Sequence, residues 1–507
     1  MVTGGRYATA RPGGFSRRTA ALVATVLVVF AASLLTFSHG SLNLDITRLD
    51  LDVYRLGARA WLTGQGVYGK LPSVQSGLDL GFTYPPISAV AMVPLAVVPA
   101  RIAGIIMTGL TIGLLLAVIA LFLRTAGLVP DYRSGWRRAA AFSPLAVLIE
   151  PVRTTLAFGQ INVLLMALVA FDCLLPRTRW PRGVLVGVAA ALKLTPAVFV
   201  LYFLATRQYR SAGRAVLSLA AVTGIGFLLA PGDSVSYWTG TVFQTGRVGS
   251  QSFFDNQSLT GLLSRAGLTG PAYTLAWLAG CALVTVLGFL AIRFTAGAGP
   301  AVDAPRPVGV AAGTTSGLVG ADGQDENEDG IDAAAPAEAP QTTASMRAML
   351  LPLVLSACVT LCVSPIAWSH HWVWASPALI TALALAWKAR DRRRLWLAAA
   401  AAALFVGFPA SWFPRSNNIE MHWAWWQQII GSAYVYVAIG VLGYFAATGL
   451  IRRRREAVGT TAEAAAETAA GEDDDATRPA SSSSAQQPFP TSGTRDRVRT
   501  GSSRAST

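Results

Sequence analysis

Ionisable and amide side chains stand beside the long apolar segments of this chain, and their types could support chemistry. Charged residues make up only 13% of the sequence, so the few that interrupt apolar segments are conspicuous. An ionisable residue at membrane depth is costly, which makes it a candidate for a functional site by default. The set contains acids, cations, amides and a histidine pair: Asp50, Asp52, Glu150, Asp255, Arg153, Lys193, Arg247, Gln160, Asn162, Asn256, His370 and His371.

This combination of groups favours transfer from a phosphate-linked lipid to a hydroxyl. Cations neutralise the charge that a phosphate gains as it departs, and a carboxylate takes the proton of an incoming hydroxyl. The pattern alone leaves a secondary transporter or lipid flippase open, because such proteins also combine broken helices with buried charges. Inverted internal repeats would favour a transporter, and none is evident in the sequence.

Several of these residues also have simple structural interpretations. Asp50 and Asp52 could be solvated loop acids. Glu150 and Arg153 are three residues apart at a helix end, which favours a structural salt bridge. Lys193 could extend its ammonium to the membrane interface. The pair at 370–371 has tryptophan neighbours typical of interfacial belts, and without further ligands at suitable spacing it is poor evidence for a metal site.

The overall composition predicts a polytopic membrane protein. Hydrophobic residues make up 53% of the chain, and the formal net charge is +14. A soluble domain needs more charge than this to stay dispersed. In a membrane protein a basic excess marks cytoplasmic loops and attraction to anionic lipids, so no nucleic-acid partner is expected.

Apolar segments along the chain predict roughly twelve membrane-embedded helices with both termini in the cytoplasm. When the passes alternate in direction, every Arg-rich cluster falls on the cytoplasmic side, and the candidate residues fall at the outer ends. The predicted passes are 19–38, 102–122, 139–149, 158–175, 183–192, 196–205, 216–230, 272–292, 349–367, 372–387, 395–408 and 429–450.

Three of the apolar segments are too short to cross a membrane alone. The segment 84–99 is interrupted by prolines and predicts an interfacial or re-entrant helix, so one external juxtamembrane helix is expected beside the membrane-embedded ones. The segments 183–192 and 196–205 predict two half-helices that meet at Lys193-Leu194-Thr195-Pro196. Broken helices of this kind are tolerated where protein or a water-filled cavity surrounds the backbone.

The same patterns divide the chain into five regions. Residues 1–18 form a basic cytoplasmic N-terminus, and residues 19–294 form a membrane region that carries the candidate site. This membrane region includes a first external loop at 39–84. Residues 295–345 and 452–507 are rich in small, polar and acidic residues and predict a disordered cytoplasmic linker and a disordered cytoplasmic tail. Residues 346–451 form a second membrane region.

Seven short sequence motifs, in order between residues 49 and 374, resemble those of one enzyme family. They are Leu49-Asp50-Leu51-Asp52-Val53-Tyr54, Phe82-Thr83-Tyr84-Pro85-Pro86, Ile149-Glu150-Pro151-Val152-Arg153, Gly159-Gln160-Ile161-Asn162-Val163-Leu164-Leu165-Met166, Lys193-Leu194-Thr195-Pro196, Asn256-Gln257-Ser258 and Trp368-Ser369-His370-His371-Trp372-Val373-Trp374. Together they are similar to glycosyltransferase family 87, the polyprenol-phosphate-mannose-dependent α-1,2-mannosyltransferases. The linker and the tail fall outside the resemblance.

The resemblance implies an all-helical C-type glycosyltransferase fold with its site beneath the first external loop. It implies inverting transfer of mannose from polyprenyl-phosphate-mannose to a glycolipid or lipoglycan acceptor, such as a mannosylated lipid. The α-1,2 linkage would form on the outer membrane face, with no metal or other cofactor. Arabinose or glucose donors stay open as alternatives. By this resemblance Asp50 is the catalytic base, and His370 or His371 contacts the donor phosphate or the acceptor together with Lys193. The candidate substrate-binding residues are Asp52, Tyr84, Glu150, Arg153, Gln160, Asn162, Lys193, Asn256, His370 and His371.

Overall fold

The computed structural model describes residues 48–296, 343–415 and 418–476, and these residues form helices but no β-sheet. An isolated antiparallel bridge joins Asn256 to Trp368. The α-helices, numbered in chain order, are α1 Leu49–Leu62, α2 Pro86–Ala91, α3 Val93–Val97, α4 Ala100–Thr125, α5 Tyr132–Leu148, α6 Glu150–Phe158, α7 Asn162–Leu174, α8 Val184–Leu192, α9 Val200–Ala205, α10 Tyr209–Leu229, α11 Pro231–Thr239, α12 Leu259–Arg265, α13 Gly270–Thr295, α14 Thr343–Val363, α15 Ala375–Ala389, α16 Arg392–Gly407, α17 Trp425–Gly431 and α18 Ala433–Ala476.

Several of these helices are suited to a membrane. Among the described residues, four segments have the length and apolar composition to cross one: Ala100–Thr125, Tyr209–Leu229, Gly270–Thr295 and Ala433–Val458. A fifth crossing results if α5 and α6, which meet at 83°, are counted as one span. Large apolar side chains on these helices face outward, among them Leu217 and Leu228 on α10 and Leu275 on α13. Such surfaces belong in lipid, and the chain is a helical membrane protein.

The predicted passes correspond to helices, although fewer than twelve of the described helices could cross a membrane alone. The passes predicted at 102–122 and 272–292 lie within α4 and α13, and the pass predicted at 216–230 lies in α10 except for its last residue. Others form shorter apolar helices, namely Asn162–Leu174, Thr195–Ala205 and Ala348–Val363. The predicted pass at 19–38 and most of the predicted linker lie outside the described residues.

Two predicted boundaries can be compared with the helices. The predicted linker at 295–345 begins where α13 ends, at Thr295, and the next described helix begins at Thr343. The predicted tail begins at residue 452, but α18 extends to Ala476. The chain divides into a compact unit that ends at Leu450 and a second unit that begins at Ile451.

The predicted break at Lys193 is present. Helix α8 ends at Leu192, and Lys193 has an extended backbone with φ −151° and ψ 122°. The chain then continues as a 3₁₀ helix, Thr195–Phe199, and as α9. Pro196 explains the break, because a proline has no amide proton to donate to the carbonyl of Leu192 and its ring would clash with that carbonyl in a continuous helix. Because Lys193 lies in the break and not in a helix, its side chain extends toward a cavity.

Helix α1 lies in the segment that was predicted only as an external loop. Its aspartates and arginines give the segment a polar composition, but Leu51, Tyr54 and Ala58 recur at helical spacing and are buried. Arg55 secures the helix to the neighbouring chain, since its Nε and Nη2 donate to the carbonyls of Leu95 and Val98 at 2.9 and 2.7 Å. The helix therefore holds its acidic first turn in a fixed place.

The apolar core forms two clusters, and several segments, including α14, contribute buried residues to both. One cluster contains buried residues of α1, α4, α7 and α8, and the other contains residues of α13, α14 and α18. The 3₁₀ helix Ser369–Trp374 contributes Val373 to the first cluster and Trp372 to the second. This helix also packs against α6, so the histidine pair is held rigidly between the two clusters.

Candidate active site

Five of the eleven sequence-predicted site residues line one cavity of about 420 Å³, namely Asp50, Tyr84, Gln160, Lys193 and His371. The first turn of α1, the segment 80–85, the helix break at 193–198, the segment 241–247 and the end of α14 form its wall. Its polar lining includes residues from six parts of the chain: Asp50, Tyr84, Gln160, Lys193, Arg247, Trp368 and His371. Asp50, Lys193 and His371 are far apart in sequence, and the fold brings them to one chamber.

Asp50 is positioned by the turn that follows α6. Gln160 is a side-chain hydrogen-bond partner of the Asp50 carboxylate. The preceding Gly159 has φ 68°, and a Cβ at this position would lie 2.8 Å from the Cβ of Leu51. Glycine is the residue that tolerates both the left-handed backbone and this close approach. The Gly159-Gln160 dipeptide thereby places the amide beside the acid.

Two tyrosines extend the hydrogen bonds around the acid. The Tyr54 hydroxyl donates to Gln160 Oε1 at 2.7 Å and lies 3.2 Å from the hydroxyl of Tyr84. The two rings make a T-shaped contact with 5.3 Å between their centroids. Since the amide oxygen of Gln160 accepts from Tyr54, its NH₂ group is left to donate to the Asp50 carboxylate.

Lys193 connects three other predicted residues. Its Nζ donates to Asn162 Oδ1 at 3.1 Å and lies 3.1 Å from His371 Nε2. It also lies 5.4 Å from the centroid of the Tyr84 ring. A lysine ammonium has three protons to donate and no lone pair with which to accept a hydrogen bond. His371 therefore accepts from it through Nε2. These contacts fix the position of the ammonium in the cavity wall.

Burial changes the acid–base properties of the cavity. Desolvation raises the pKa of Asp50 to about 6, against the opposing effects of the Gln160 hydrogen bond and the Lys193 charge, while Asp255 adds a smaller increase. Desolvation also lowers the pKa of His371 well below its usual value, and the charge of Lys193 lowers it further. At neutral pH the cavity therefore holds an ionised carboxylate of raised basicity beside a neutral imidazole.

Glu150 and His370 lie behind the cavity wall. Glu150 Oε1 accepts from Thr154 Oγ1 and from Ser369 Oγ, both at 2.7 Å, and Oε2 accepts from the Tyr434 hydroxyl at 3.3 Å. His370 is buried, and its Nδ1 lies 3.9 Å from Asp255 Oδ2. This buried group holds the segment that carries His371.

The salt bridge expected between Glu150 and Arg153 is not formed between these two described residues. Instead, the hydroxyl groups of Thr154, Ser369 and Tyr434 donate hydrogen bonds to the Glu150 carboxylate. Arg153 directs Nη1 to the carbonyl of Leu148 at 3.5 Å, and it is absent from the cavity lining. The buried hydroxyls satisfy Glu150 without the cost of desolvating an arginine.

Two further predicted residues point away from the cavity. Asp52 is two residues after Asp50, so its side chain projects about 200° around the helix. Its Oδ2 accepts from the backbone N–H of Gln75 at 3.2 Å. Asn256 is fully buried, and its Oδ1 accepts from Ser258 Oγ at 2.8 Å and from the Ala367 N–H at 3.2 Å. Both side chains brace loops that border the cavity.

Two residues at the site were not among the candidate residues from the sequence: Trp368 in the cavity wall and Tyr54 in the hydrogen bonds around Asp50. Tyr54 follows Asp50 by four residues, a spacing that places both on one helix face and could have identified it. Trp368 lies two residues before His370, and the sequence analysis interpreted the tryptophans around the histidine pair as an interfacial belt. Arg247 was among the charged candidates, but no motif marked it as a substrate-binding residue. No cluster of three or more His, Cys, Asp and Glu residues suited to a metal occurs among the described residues.

Sequence comparisons reveal similar proteins of known activity. A model of glycosyltransferase family 87 matches residues 82–319. A phosphatidylinositol mannoside mannosyltransferase of Mycolicibacterium smegmatis, described as polyprenol-phosphate-mannose-dependent and α-(1-2)-specific, is 36% identical over 403 residues, covering 77% of this chain and 81% of the relative. Its Mycobacterium tuberculosis counterpart is 34% identical, covering 83% and 88%. A phosphatidylinositol pentamannoside mannosyltransferase of Mycobacterium tuberculosis is 28% identical, covering 73% and 74%.

Proposed function

The chain belongs to glycosyltransferase family 87, and we propose that it transfers mannose from polyprenyl-phosphate-mannose to a mannosylated phosphatidylinositol in an α-1,2 linkage. The observation that carries the proposal is the joint placement of Asp50, Lys193 and His371 in one cavity of a chain that is 36% identical to such an enzyme. The cavity supplies a base for an incoming hydroxyl and a cation for a departing phosphate.

Asp50 is the base in this reaction. An acceptor hydroxyl attacks C1 of the β-linked mannose from the face opposite the phosphate, and its proton passes to the Asp50 carboxylate. The bond between C1 and the phosphate oxygen breaks, and its electron pair leaves with polyprenyl phosphate. Inversion at C1 gives the α linkage. Gln160 and Lys193 keep the carboxylate ionised at neutral pH, and burial makes it a stronger base than a solvated aspartate.

Lys193 and His371 serve the leaving group. As the C1–oxygen bond breaks, the phosphate gains negative charge, and a fixed ammonium stabilises that charge more in a water-poor cavity than in bulk water. Asn162 and His371 hold Lys193 Nζ at 3.1 Å each, so little reorganisation is needed when the charge develops. Glu150, Ser369 and Tyr434 hold the histidine segment in place from behind.

We infer a C-type glycosyltransferase fold with the site on the extracytoplasmic face of the plasma membrane. The support is the family membership together with the charge distribution. In the sequence, the Arg-rich segments 390–394 and 452–455 directly follow apolar segments, whereas residues 80–85, which line the cavity, belong to the segment predicted to be external. Positive charge is retained on the cytoplasmic side. The lipid chains of donor and acceptor would then lie in the outer leaflet.

The reaction is tested with purified protein in detergent or lipid and a panel of radiolabelled polyprenyl-phosphate donors that carry mannose, glucose or arabinose. We expect transfer from the mannosyl donor alone to phosphatidylinositol mannosides, with a label that a linkage-specific α-1,2-mannosidase releases. Transfer from another donor only would refute mannose as the sugar. Orientation is tested separately with Lys70→Cys, an exposed position in the segment 63–85. A membrane-impermeant maleimide should label it in intact cells, and labelling only after lysis would refute the outer-face location.

A further inference from the structure

A second cation, Arg247, lines the same cavity as Lys193. It lies in a short 3₁₀ helix, Thr245–Val248, which overlaps the segment 241–247 of the cavity wall. Its Nη2 donates to the backbone carbonyl of Tyr68 at 3.0 Å. The guanidinium is therefore held at the wall by one neutral contact, with its other donors available.

The position of Tyr68 is itself fixed at two points. Its hydroxyl donates to the carbonyl of Tyr84 at 2.7 Å, and its ring stacks on Tyr237 with 5.5 Å between the centroids. The carbonyl that accepts from Arg247 is therefore part of a rigid support that also carries Tyr84, a neighbour of Lys193. The guanidinium is positioned by the same framework as the rest of the site.

The charge of Arg247 is not compensated by an acid. Among the described residues, no carboxylate lies within 4.0 Å of its guanidinium, and its buried Nε has no hydrogen-bond partner. An arginine stays protonated in a protein, so burial of part of the group without an anion is costly. The cavity lining thus contains one acid, Asp50, and two cations, Lys193 and Arg247. This excess of positive charge favours binding of an additional anion.

Gly81 leaves the space that Arg247 occupies. A Cβ at this glycine would lie 2.9 Å from Arg247 Nη2. The backbone of Gly81 is not in the left-handed region, so the close approach of the guanidinium, and not the backbone conformation, is what a side chain here would disturb. Gly81 and Arg247 therefore fit closely against each other in the cavity wall.

We propose that Arg247 is a second phosphate-binding residue of the cavity, separate from Lys193 and His371, and that it binds the phosphodiester of a lipid substrate. The inference rests on the proposed function, in which both donor and acceptor carry a phosphodiester. Lys193 already shares its protons between Asn162 and His371. A planar guanidinium with free donors matches two phosphate oxygens at once, as an ammonium does not.

Steady-state kinetics with two acceptors distinguish the possible sources of the phosphate. The variants are Arg247→Gln, Arg247→Lys and Gly81→Ala, with Lys70→Gln as the control because Lys70 is an exposed cation in the neighbouring segment and absent from the cavity lining. The acceptors are a phosphatidylinositol mannoside and a phosphate-free alkyl α-mannoside. We expect Arg247→Gln to raise one KM about tenfold or more, while kcat changes much less, because a charged hydrogen bond is lost. Arg247→Lys restores part of the affinity, and Gly81→Ala weakens it by displacing the guanidinium.

The substrate whose KM rises identifies the source. A rise for the phosphatidylinositol mannoside but not for the alkyl mannoside assigns Arg247 to the acceptor phosphodiester. A rise in the donor KM with either acceptor assigns it to the donor phosphate. If both KM values of Arg247→Gln equal those of wild type and Lys70→Gln, the proposal is wrong.

A binding measurement separates this proposal from the proposed reaction. Quenching of tryptophan fluorescence, to which Trp368 in the cavity wall contributes, reports binding of phosphatidylinositol and of polyprenyl phosphate. Weaker binding of either lipid by Arg247→Gln, but not by Lys70→Gln, supports the phosphate site even if the wild-type protein transfers no mannose. Unchanged binding of both lipids in a protein that does transfer mannose refutes the phosphate site alone.

Discussion

Gln160 sets the pH at which Asp50 becomes a base, and its replacement gives a quantitative prediction. The amide donates to a carboxylate whose pKa burial raises to about 6. A hydrogen bond to the ionised form lowers a carboxyl pKa. The substitution Gln160→Leu removes the donor and keeps a similar volume in a side chain that is 2% exposed. The pKa of Asp50 should therefore rise further.

The expected shift follows from the strength of the lost bond. A hydrogen bond to a charged group contributes about 1.5–3 kcal/mol, and about 1.4 kcal/mol corresponds to one pKa unit. The Asp50 pKa should then move upward by about one to two units from its wild-type value. Because the base form exists above the pKa, transfer is lost as the pH falls through it, and the variant loses transfer at a higher pH than wild type.

The measurement is the pH dependence of kcat/KM, which reports the ionisation of the free enzyme. For wild type we expect kcat/KM to be greatest near neutral pH, where Asp50 is ionised and Lys193 is still cationic, and to fall below a midpoint near pH 6. One unit below the midpoint, about a tenth of the greatest value should remain, since about a tenth of the base is then ionised. The Gln160→Leu profile should have the same form with its midpoint displaced to higher pH.

Gln65→Leu is the matched control, because Gln65 is an exposed glutamine just beyond the end of α1. It should retain the wild-type midpoint. A midpoint for Gln160→Leu that equals that of wild type, in protein of normal thermal stability, would show that the amide does not control the base. A wild-type midpoint near pH 4 would show that burial does not raise the pKa of the catalytic group.

Three further substitutions test the other assignments. Lys193→Met should lower kcat about 100-fold or more because a fixed cation no longer meets the leaving phosphate; initial rates at saturating substrate check this, and a normal kcat would contradict it. Asp52→Asn should leave kcat/KM close to wild type, since the amide oxygen still accepts from Gln75; a large loss would return Asp52 to the site. Asn256→Ala should destabilise the fold by about 1–3 kcal/mol, since buried partners lose their hydrogen bonds; thermal unfolding in detergent measures it, and an unchanged midpoint with a raised KM would instead indicate substrate contact.

The sequence predicted the parts of the site that depend on local chemistry. Pro196 after an apolar segment indicated the helix break, and the break directs Lys193 into the cavity. The Gly159-Gln160 and His370-His371 motifs were recognised as parts of the site, and Gln160 and His371 do line the cavity. The positions of these residues could be anticipated because backbone restrictions and the cost of buried charge act over a few residues.

Other features depend on contacts that no local pattern contains. Helix α1 was missed because its polar composition hides an apolar stripe, and without that helix Asp50 and Asp52 could not be placed on opposite sides. Asn256 was expected to touch substrate, but its partners Ser258 and Ala367 come from two chain segments that meet only in the fold. The role of Arg247 depends on Tyr68 and Gly81, which are more than 160 residues away in sequence.

The central claim is that Asp50 is the base for mannose transfer, and the most direct test compares wild type with Asp50→Asn in one assay. Both proteins are purified, matched for thermal stability, and given polyprenyl-phosphate-mannose and a phosphatidylinositol mannoside. The amide keeps the shape of the side chain but cannot take a proton, so the rate should fall about 100- to 10,000-fold. Transfer by the folded Asp50→Asn protein at a rate close to that of wild type would contradict the claim.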